Sequence, residues 1–387
     1  MIAVTALLLI TVAGAAAWRM LRAKAMDLWL PAYLQRRVEM ADGLIHVLVC
    51  VADHFEPQWN NPPYEQECAR VDAWLTRYPA HASGHRDADG RHPQHTFFFP
   101  EEEYRPEHLN KLAELRRRGL GDVEIHLHHD GDSPDQLRTK LTRFKTILYE
   151  RHGLLRRDAV SGDIAYAFIH GNWALCNSAS GRWCGVNDEL SILRETGCYV
   201  DMTLPSAPST TQTRKINAIY YASSNPSAQK SHDTGIDVET GKAASGDLML
   251  IQGPLALNWM ARKLGVLPRI ENGELTADNP PSPERADLWV RQAIHVKGRP
   301  DWLFVKLHTH GANERHARVL LGPSMEGLWA YLERRYNDGV RYALHYVTAR
   351  EMYNIVKAAE AGRAGNPGAY RTYGESTSAA IAFAETA

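Results

Sequence analysis

Short apolar runs alternate with polar, helix-like stretches along most of the chain. The runs cover residues 45–52, 95–99, 123–127, 164–169, 198–204, 247–251, 302–307 and 341–347. Uninterrupted apolar runs of this length are typical of strands that are buried on both faces. Helical stretches lie between several of them, at 106–118, 133–152, 187–195 and 324–337. This alternation predicts an α/β fold, either a parallel sheet or a (β/α) barrel.

The first 24 residues differ from the rest of the chain. Residues 2–18 carry no charge, and they are followed directly by three basic residues, Arg19, Arg22 and Lys24. A stretch of this length is close to the minimum that spans a bilayer as a helix. We therefore predict a transmembrane anchor over 1–24 and a linker helix over 25–43. Cleavage near Ala15–Ala17 and a buried terminal helix stay open as alternatives. The positive-inside rule favours the cytoplasmic side of a bacterial-type inner membrane.

The remaining chain indicates one catalytic domain over 44–361. Stretches rich in turn-forming residues predict loop insertions near 207–245 and 267–285, and the small polar residues after them predict a flexible tail over 362–387. The five cysteines are irregularly spaced and form no C-x-x-C pair, which argues against a disulfide framework or a zinc knuckle. A net charge of −1 gives no basic excess, so no nucleic-acid partner is expected.

Histidine and carboxylate residues gather where the predicted strands end. The clusters are Asp53–Glu56, Glu101–Glu103, His126–Asp132, His170–Trp173, Asp201 and His308–His310. Strand carboxyl ends share one rim in a (β/α) barrel, so these side chains could converge. Imidazole and carboxylate ligands together suit zinc or a similar ion, which activates water for hydrolysis. We interpret isolated histidines such as His46 and His232, and the Glu101–Glu103 run, as ordinary polar residues.

Four segments resemble motifs of the NodB-type polysaccharide deacetylase family. Val51–His54 is similar to the T-F-D-D strand end of that family, and Thr96–Phe98 to its T-F-F strand. Glu124–Asp132 is similar to E-I-x-x-H-x-x-x-H, and Leu307–His308 to the late L-H motif. The resemblance spans about 45–347 and implies a distorted (β/α) barrel of about seven strands. It also implies one divalent metal ion, with Zn²⁺ as the first candidate.

The resemblance also implies a role for each matching residue. The catalytic residues would be Asp53 as the base and His308 as the acid, with His310 as an alternate acid. The metal ligands would be His54, His128 and Asp132. His54 and Asp132 exchange the Asp and His of the family pattern, and a register shifted by two would instead make His126 a ligand with Asp130 as its partner. The family's R-x-P-Y motif is absent, and the residues predicted to bind substrate are His170, Asn172, Trp173 and Asp201.

These implications predict a hydrolase of carbon–nitrogen bonds. It would remove N-acetyl groups from a sugar of a surface polysaccharide or its lipid-linked precursor, with carbohydrate and the membrane as partners. One alternative is an amidohydrolase- or phosphoesterase-type metallohydrolase, for which two bound ions rather than one would be expected. The other is a catalytically degenerate barrel that binds glycan in a polysaccharide synthesis complex, as the missing arginine motif suggests.

Overall fold

The computed structural model of the protein describes Gly14, Ala15 and residues 18–375. The strands are β1 (Ile45–His54), β2 (His95–Pro100), β3 (Gly121–Leu127), β4 (Arg156–Arg157), β5 (Ile164–His170), β6 (Cys198–Asp201), β7 (Ile219–Ala222), β8 (Ile236–Asp237), β9 (Leu248–Ile251), β10 (Ala256–Lys263), β11 (Leu267–Glu271), β12 (Trp302–Thr309) and β13 (Tyr342–Tyr346). The helices are α1 (Met26–Gln35), α2 (Tyr64–Ser83), α3 (Pro106–Arg117), α4 (Pro134–His152), α5 (Glu189–Glu195), α6 (Pro283–Val290), α7 (Glu314–Leu320), α8 (Pro323–Tyr336) and α9 (Ala349–Glu360). The eight apolar runs and the four helical stretches predicted from the sequence are confirmed.

Eleven of the strands form one sheet in which most pairs are parallel. The order is β12-β1-β2-β3-β5-β6-β9-β7-β8, while β13 lies beside the first half of β1 and β4 beside β5. Strands β10 and β11 form a separate antiparallel pair. Because β12, β1, β2, β3 and β5 run parallel to one another, their carboxyl ends lie along one edge of the sheet, where a ligand site is expected.

The predicted distorted (β/α) barrel of about seven strands is wrong, because the sheet formed by the described residues is open between β9 and β12. The edge of β9 that would face β12 in a closed barrel pairs instead with β7, in an antiparallel arrangement. Strand β7 belongs to the insertion near 207–245, which was predicted to be a loop. The free edge of β12 bonds to irregular chain instead: Phe304 N donates to Ile294 O, and His308 N donates to Gly273 O. The insertion near 207–245 thus supplies a partner for β9, while β12 bonds to Gly273 of the insertion near 267–285 and to Ile294, which follows that insertion.

Neighbouring residues of β1 point to opposite sides of the sheet, as the strand geometry requires. Val47, Val49 and Val51 belong to the core beneath the outer helices, whereas Cys50 and Ala52 belong to a second core shared with α9. The whole of β1 is buried. At the carboxyl end of β1, the position of a residue along the strand therefore determines which side of the sheet its side chain faces.

The N-terminal segment packs against the domain through α1. The indole of Trp29 is fully buried beside Ala207, Ile216 and Leu255. The linker helix predicted over 25–43 ends early, at Gln35.

The predicted single-pass anchor over 1–24, and the inner-membrane location that depended on it, are not supported. Within residues 14, 15 and 18–375, no helix has the length and apolar character needed to cross a bilayer. Residues 1–13 and 16–17 of that prediction lie outside the described residues.

Part of the predicted tail packs against the domain. The buried guanidinium of Arg371 forms ion pairs with Asp87, Asp89 and Glu351 at 2.9, 3.0 and 3.1 Å. Asp87, Asp89 and His345 could by their spacing hold a cation, but this arginine already supplies the positive charge. Residues 376–387 lie outside the described part of the chain.

Candidate metal centre

Three buried side chains at the ends of β1 and β3 form a group that could hold a metal ion. They are His54, Glu56 and His126, and their candidate ligand atoms all lie within 4.8 Å of one another. The ring of His54 lies 4.9 Å from that of His126 and 4.8 Å from that of His310, measured between centroids. We call these four residues together with His128 the rim cluster.

Strand pairing aims the His126 imidazole at Glu56. His126 faces Ile169 of β5 in the parallel register, and its Nδ1 lies 2.9 Å from the carbonyl oxygen of Ile169. A carbonyl oxygen only accepts, so Nδ1 donates in this contact, which fixes the orientation of the ring. Nε2 lies 3.1 Å from Oε1 of Glu56. His126 is thus held with Nε2 directed at the candidate ligand group.

The charges of the rim cluster suit a divalent cation. Burial raises the pKa of Glu56, but hydrogen bonds from His126 and His128 outweigh it and hold that pKa well below its usual range. Burial and the neighbouring imidazoles lower the pKa of His54 well below its usual range, so its ring is neutral. One carboxylate and two imidazoles form a ligand set typical of catalytic zinc, which keeps a further position open.

The rim cluster opens to solvent beside His128 and Glu102. Their side chains are 33% and 35% exposed, in contrast to the buried ligand group, and Nδ1 of His128 lies 2.5 Å from Oε1 of Glu102. Nε2 of His128 lies 3.3 Å from Oε1 of Glu56. Burial by itself would lower the pKa of His128, but the two carboxylates raise it to about 10. Glu102, which we interpreted as an ordinary polar residue, therefore borders the site.

Asp53, the predicted base, lies on the opposite side of β1 from His54. Its Oδ2 accepts a hydrogen bond from Nε2 of His95 at 2.8 Å, and its Oδ1 accepts one from the backbone N–H of Gly311 at 2.6 Å. A Cβ at position 311 would lie 2.1 Å from Oδ2, so only glycine permits this approach. Oδ1 of Asp53 therefore holds the turn that follows β12, while Oδ2 holds His95 at the start of β2, and neither oxygen faces the rim cluster.

The two histidines of the H-x-H pair on β12 differ in their surroundings. His308 is buried, its pKa is lowered well below the usual range by burial, and its Nδ1 has no hydrogen-bond partner among the described residues. His310 is half-buried, and burial also lowers its pKa. The half-buried indole of Trp173 lies 6.0 Å from the His310 ring and 5.9 Å from the His54 ring. His310 and Trp173 therefore flank the site.

Asp132 and Asp201 do not reach the rim cluster. The carboxylate of Asp132 accepts hydrogen bonds from Lys140 at 2.9 and 2.7 Å. Asp201 is buried and accepts from the backbone and hydroxyl of Thr203 at 3.0 and 2.7 Å, while burial raises its pKa to about 7. The structure thus brings His126 rather than Asp132 to the candidate ligand group.

The remaining residues predicted to bind substrate differ in their exposure to solvent. Asn172 is exposed, whereas His170 is buried and faces away from solvent among His129, Cys184 and Glu189. The sequence assigned no role to Glu56, although it follows His54 by two residues and so continues the same side of β1. No sequence signal pointed to Glu189, because only tertiary packing brings the start of α5 beside β3 and β5.

No protein-family model matches this chain, and a search of curated proteins found no match. The likeness to the polysaccharide deacetylases therefore depends on the sequence motifs quoted above.

Proposed function

We propose that the protein is a metal-dependent hydrolase that removes the N-acetyl group from a sugar. The observation that carries the proposal is the convergence of His54, Glu56 and His126, whose ligand atoms lie within 4.8 Å of one another beside a solvent-exposed opening. The metal-dependent part rests on this geometry. The N-acetyl sugar rests on the motif resemblance, and the flanking indole of Trp173 is consistent with it, because an aromatic face can pack against a sugar ring.

A divalent ion such as Zn²⁺, when bound, would polarise the amide carbonyl and lower the pKa of water. The chain's own contribution is to hold two imidazoles and one carboxylate in place before binding. His126 is oriented by the carbonyl of Ile169, and Glu56 is kept ionised by the two histidines beside it. Such preorganisation reduces the reorganisation that binding would otherwise cost.

Two histidines at the opening can move the protons that amide hydrolysis requires. Burial lowers the pKa of His310, so that its imidazole is neutral near pH 7 and can accept a proton from water. His128 is paired with Glu102 and holds a proton that it can donate to the leaving amine. In this assignment His310 is the base and His128 the acid, while Asp53 positions the turn that carries His310.

The test measures acetate release by the zinc-loaded full-length protein from N-acetylated oligosaccharides. We expect release by the wild type, and in Glu56→Gln and His126→Ala we expect loss of acetate release and of the zinc ion held by the rim cluster. His152→Ala, which changes a histidine at the end of α4, is the matched control and should keep both. A wild type that binds zinc but releases no acetate would contradict the sugar deacetylase, and hydrolysis of phosphate esters by it would favour the phosphoesterase alternative.

A further inference from the structure

A second group of potential ligands lies beneath the rim cluster. It consists of His129 after β3, His170 at the end of β5, Cys184 in the following loop and Glu189 at the start of α5. Their candidate ligand atoms lie within 4.8 Å of one another, and all four residues are buried. We call these residues the inner cluster. It shares no residue with the rim cluster, so the two groups do not form one bridged centre of two ions.

Both imidazoles of the inner cluster direct Nε2 at the same oxygen of Glu189. Nδ1 of His170 lies 2.5 Å from the carbonyl oxygen of Gly171, so it carries the proton and Nε2 has the lone pair. That Nε2 is buried without a hydrogen-bond partner among the described residues, and it lies 3.4 Å from Oε1 of Glu189. Nε2 of His129 faces the same oxygen at 3.3 Å, while its Nδ1 faces Oδ2 of Asp132 at 3.4 Å. A carboxylate behind a ligating histidine is a common outer partner in metal sites.

Cys184 and Glu189 complete the set of four candidate ligands. Sγ of Cys184 lies 3.4 Å from Oε2 of Glu189, and that oxygen also accepts the backbone N–H of Cys176 at 2.7 Å. A thiolate and a carboxylate carry two negative charges, which neutralise one divalent cation. This balance matters at a site from which solvent is excluded, because an uncompensated buried charge is costly.

The loop that carries Cys184 is seated closely on the end of β3. The backbone N–H of Asp132 donates to Cys184 O at 3.0 Å. Gly185 has a φ of +105°, and a Cβ there would lie 2.6 Å from backbone atoms of Asp132. The preceding loop also contains non-glycine residues with positive φ, namely Asn172, Trp173, Cys176, Asn177, Ser180 and Trp183. Such backbone persists only where surrounding interactions hold it in place.

We infer that His129, His170, Cys184 and Glu189 bind one divalent transition-metal ion, with zinc favoured, at a closed structural site. Two imidazoles, a thiolate and a carboxylate provide four ligands, the number that structural zinc requires, and burial leaves no position for substrate. The ion would tie the ends of β3 and β5 to the 171–188 loop and α5. It would thereby hold Trp173 and the neighbouring rim cluster in place. The inference is independent of the reaction that the rim cluster performs.

The test uses the full-length protein with Zn²⁺ for stoichiometry and Co²⁺ as a spectroscopic probe. The rim cluster contains no cysteine, so near-ultraviolet charge transfer from thiolate to cobalt would report on the inner cluster alone. We expect two zinc ions per wild-type chain, one in Cys184→Ser and one in His126→Ala. The cobalt–thiolate band should be present in wild type, His126→Ala and the control Cys68→Ala, and absent from Cys184→Ser.

Asp132→Asn provides a second variant in which all four ligands are kept. We expect it to retain the cobalt–thiolate band while the affinity of the inner cluster for Zn²⁺ falls by about 10–100-fold, as is typical when an outer carboxylate is lost. A cobalt-loaded wild type without the band would overturn the inference, and so would a band that persists in Cys184→Ser. The wild-type spectrum decides the question even if a variant fails to fold.

Discussion

Nε2 of His126 lies 3.1 Å from Oε1 of Glu56, although 70 positions separate the two residues in the chain. Replacing Glu56 by Gln keeps the shape of the side chain but removes the charge that faces the imidazoles. We expect zinc affinity at the rim cluster to fall by at least about two orders of magnitude, beyond the roughly 10–100-fold typical of an outer partner. Titration of the metal-free protein with zinc, monitored by competition with a chelator, measures this change. Unchanged affinity would exclude Glu56 as a ligand.

The pairing of His128 with Glu102 predicts an effect on turnover without loss of metal. Removing a general acid typically costs about 10²–10⁴-fold in rate, so His128→Ala should lower kcat in this range and retain zinc. Glu102 helps to raise the pKa of His128. Glu102→Gln should therefore lower that pKa and move the alkaline limb of the pH–rate profile to lower pH.

Glu103→Gln is the matched control for Glu102→Gln. Burial raises the pKa of Glu103 to about 8, so its side chain is mostly neutral at pH 7 and the substitution changes little charge. An alkaline limb that stays in place in Glu102→Gln, or that moves equally in both variants, would argue against His128 as the acid.

The buried carboxylate of Asp53 predicts a loss of stability in Asp53→Asn. The substitution weakens two charge-assisted hydrogen bonds, from His95 and from Gly311, of the kind that contribute about 1.5–3 kcal/mol each. We expect the free energy of unfolding to fall by about 2–4 kcal/mol, as measured by urea denaturation. His95→Gln should also lower the free energy of unfolding. Asp53→Asn with wild-type stability and no activity would restore Asp53 as the catalytic base.

Lys306 links β12 to the chain that follows β6. Its buried Nζ donates to Met202 O and Leu204 O, each at 2.6 Å, in the chain that follows β6. Lys306→Met leaves Met202 O without this donor, at a cost of about 1–3 kcal/mol, and removes a second hydrogen bond worth about 1 kcal/mol from Leu204 O, which still accepts the N–H of Gly253. We expect Lys306→Met to lower the free energy of unfolding by about 2–4 kcal/mol. The side chain of Lys297 is exposed, so Lys297→Met should change that free energy by less than about 0.5 kcal/mol. Equal effects of the two substitutions would contradict this account.

His46 predicts a stability that depends on pH. Burial, and then the neighbouring imidazole of His345, lower the pKa of His46 to about 4 in the folded protein, against about 6.5 when unfolded. Between these values the unfolded chain binds more protons, so stability falls as the pH is lowered from about 6.5 to about 4. Urea denaturation of wild type and His46→Gln at pH 7 and pH 5 measures the contribution. The loss on acidification should be smaller in His46→Gln, and an equal loss in both would show that other groups are responsible.

The strands were predictable because burial on both faces requires an uninterrupted apolar run, and the run that became β1 is buried throughout. The register of the candidate metal ligands was not predictable from the His126–Asp132 cluster. β3 continues to Leu127, so His126 is held by pairing with β5 and faces Glu56, whereas Asp132 lies beyond the strand end and pairs with Lys140. The structure matches neither predicted register in full, because His126 joins the candidate ligand group with Glu56, whereas Asp130 accepts the backbone N–H of Trp183 at 2.8 Å.

The sequence by itself determined the order of strands and helices and the gathering of histidines and carboxylates at strand ends, because both are local properties of hydrophobic pattern and residue type. Only the tertiary structure decided that the sheet stays open, because β7 forms the hydrogen bonds with the edge of β9 that would otherwise face β12. It also decided that Asp53 faces away from the rim cluster, and that Cys184 and Glu189 meet His129 and His170. These relationships depend on which distant segments compete for the same hydrogen bonds and the same buried space, and no local pattern in a chain records that competition.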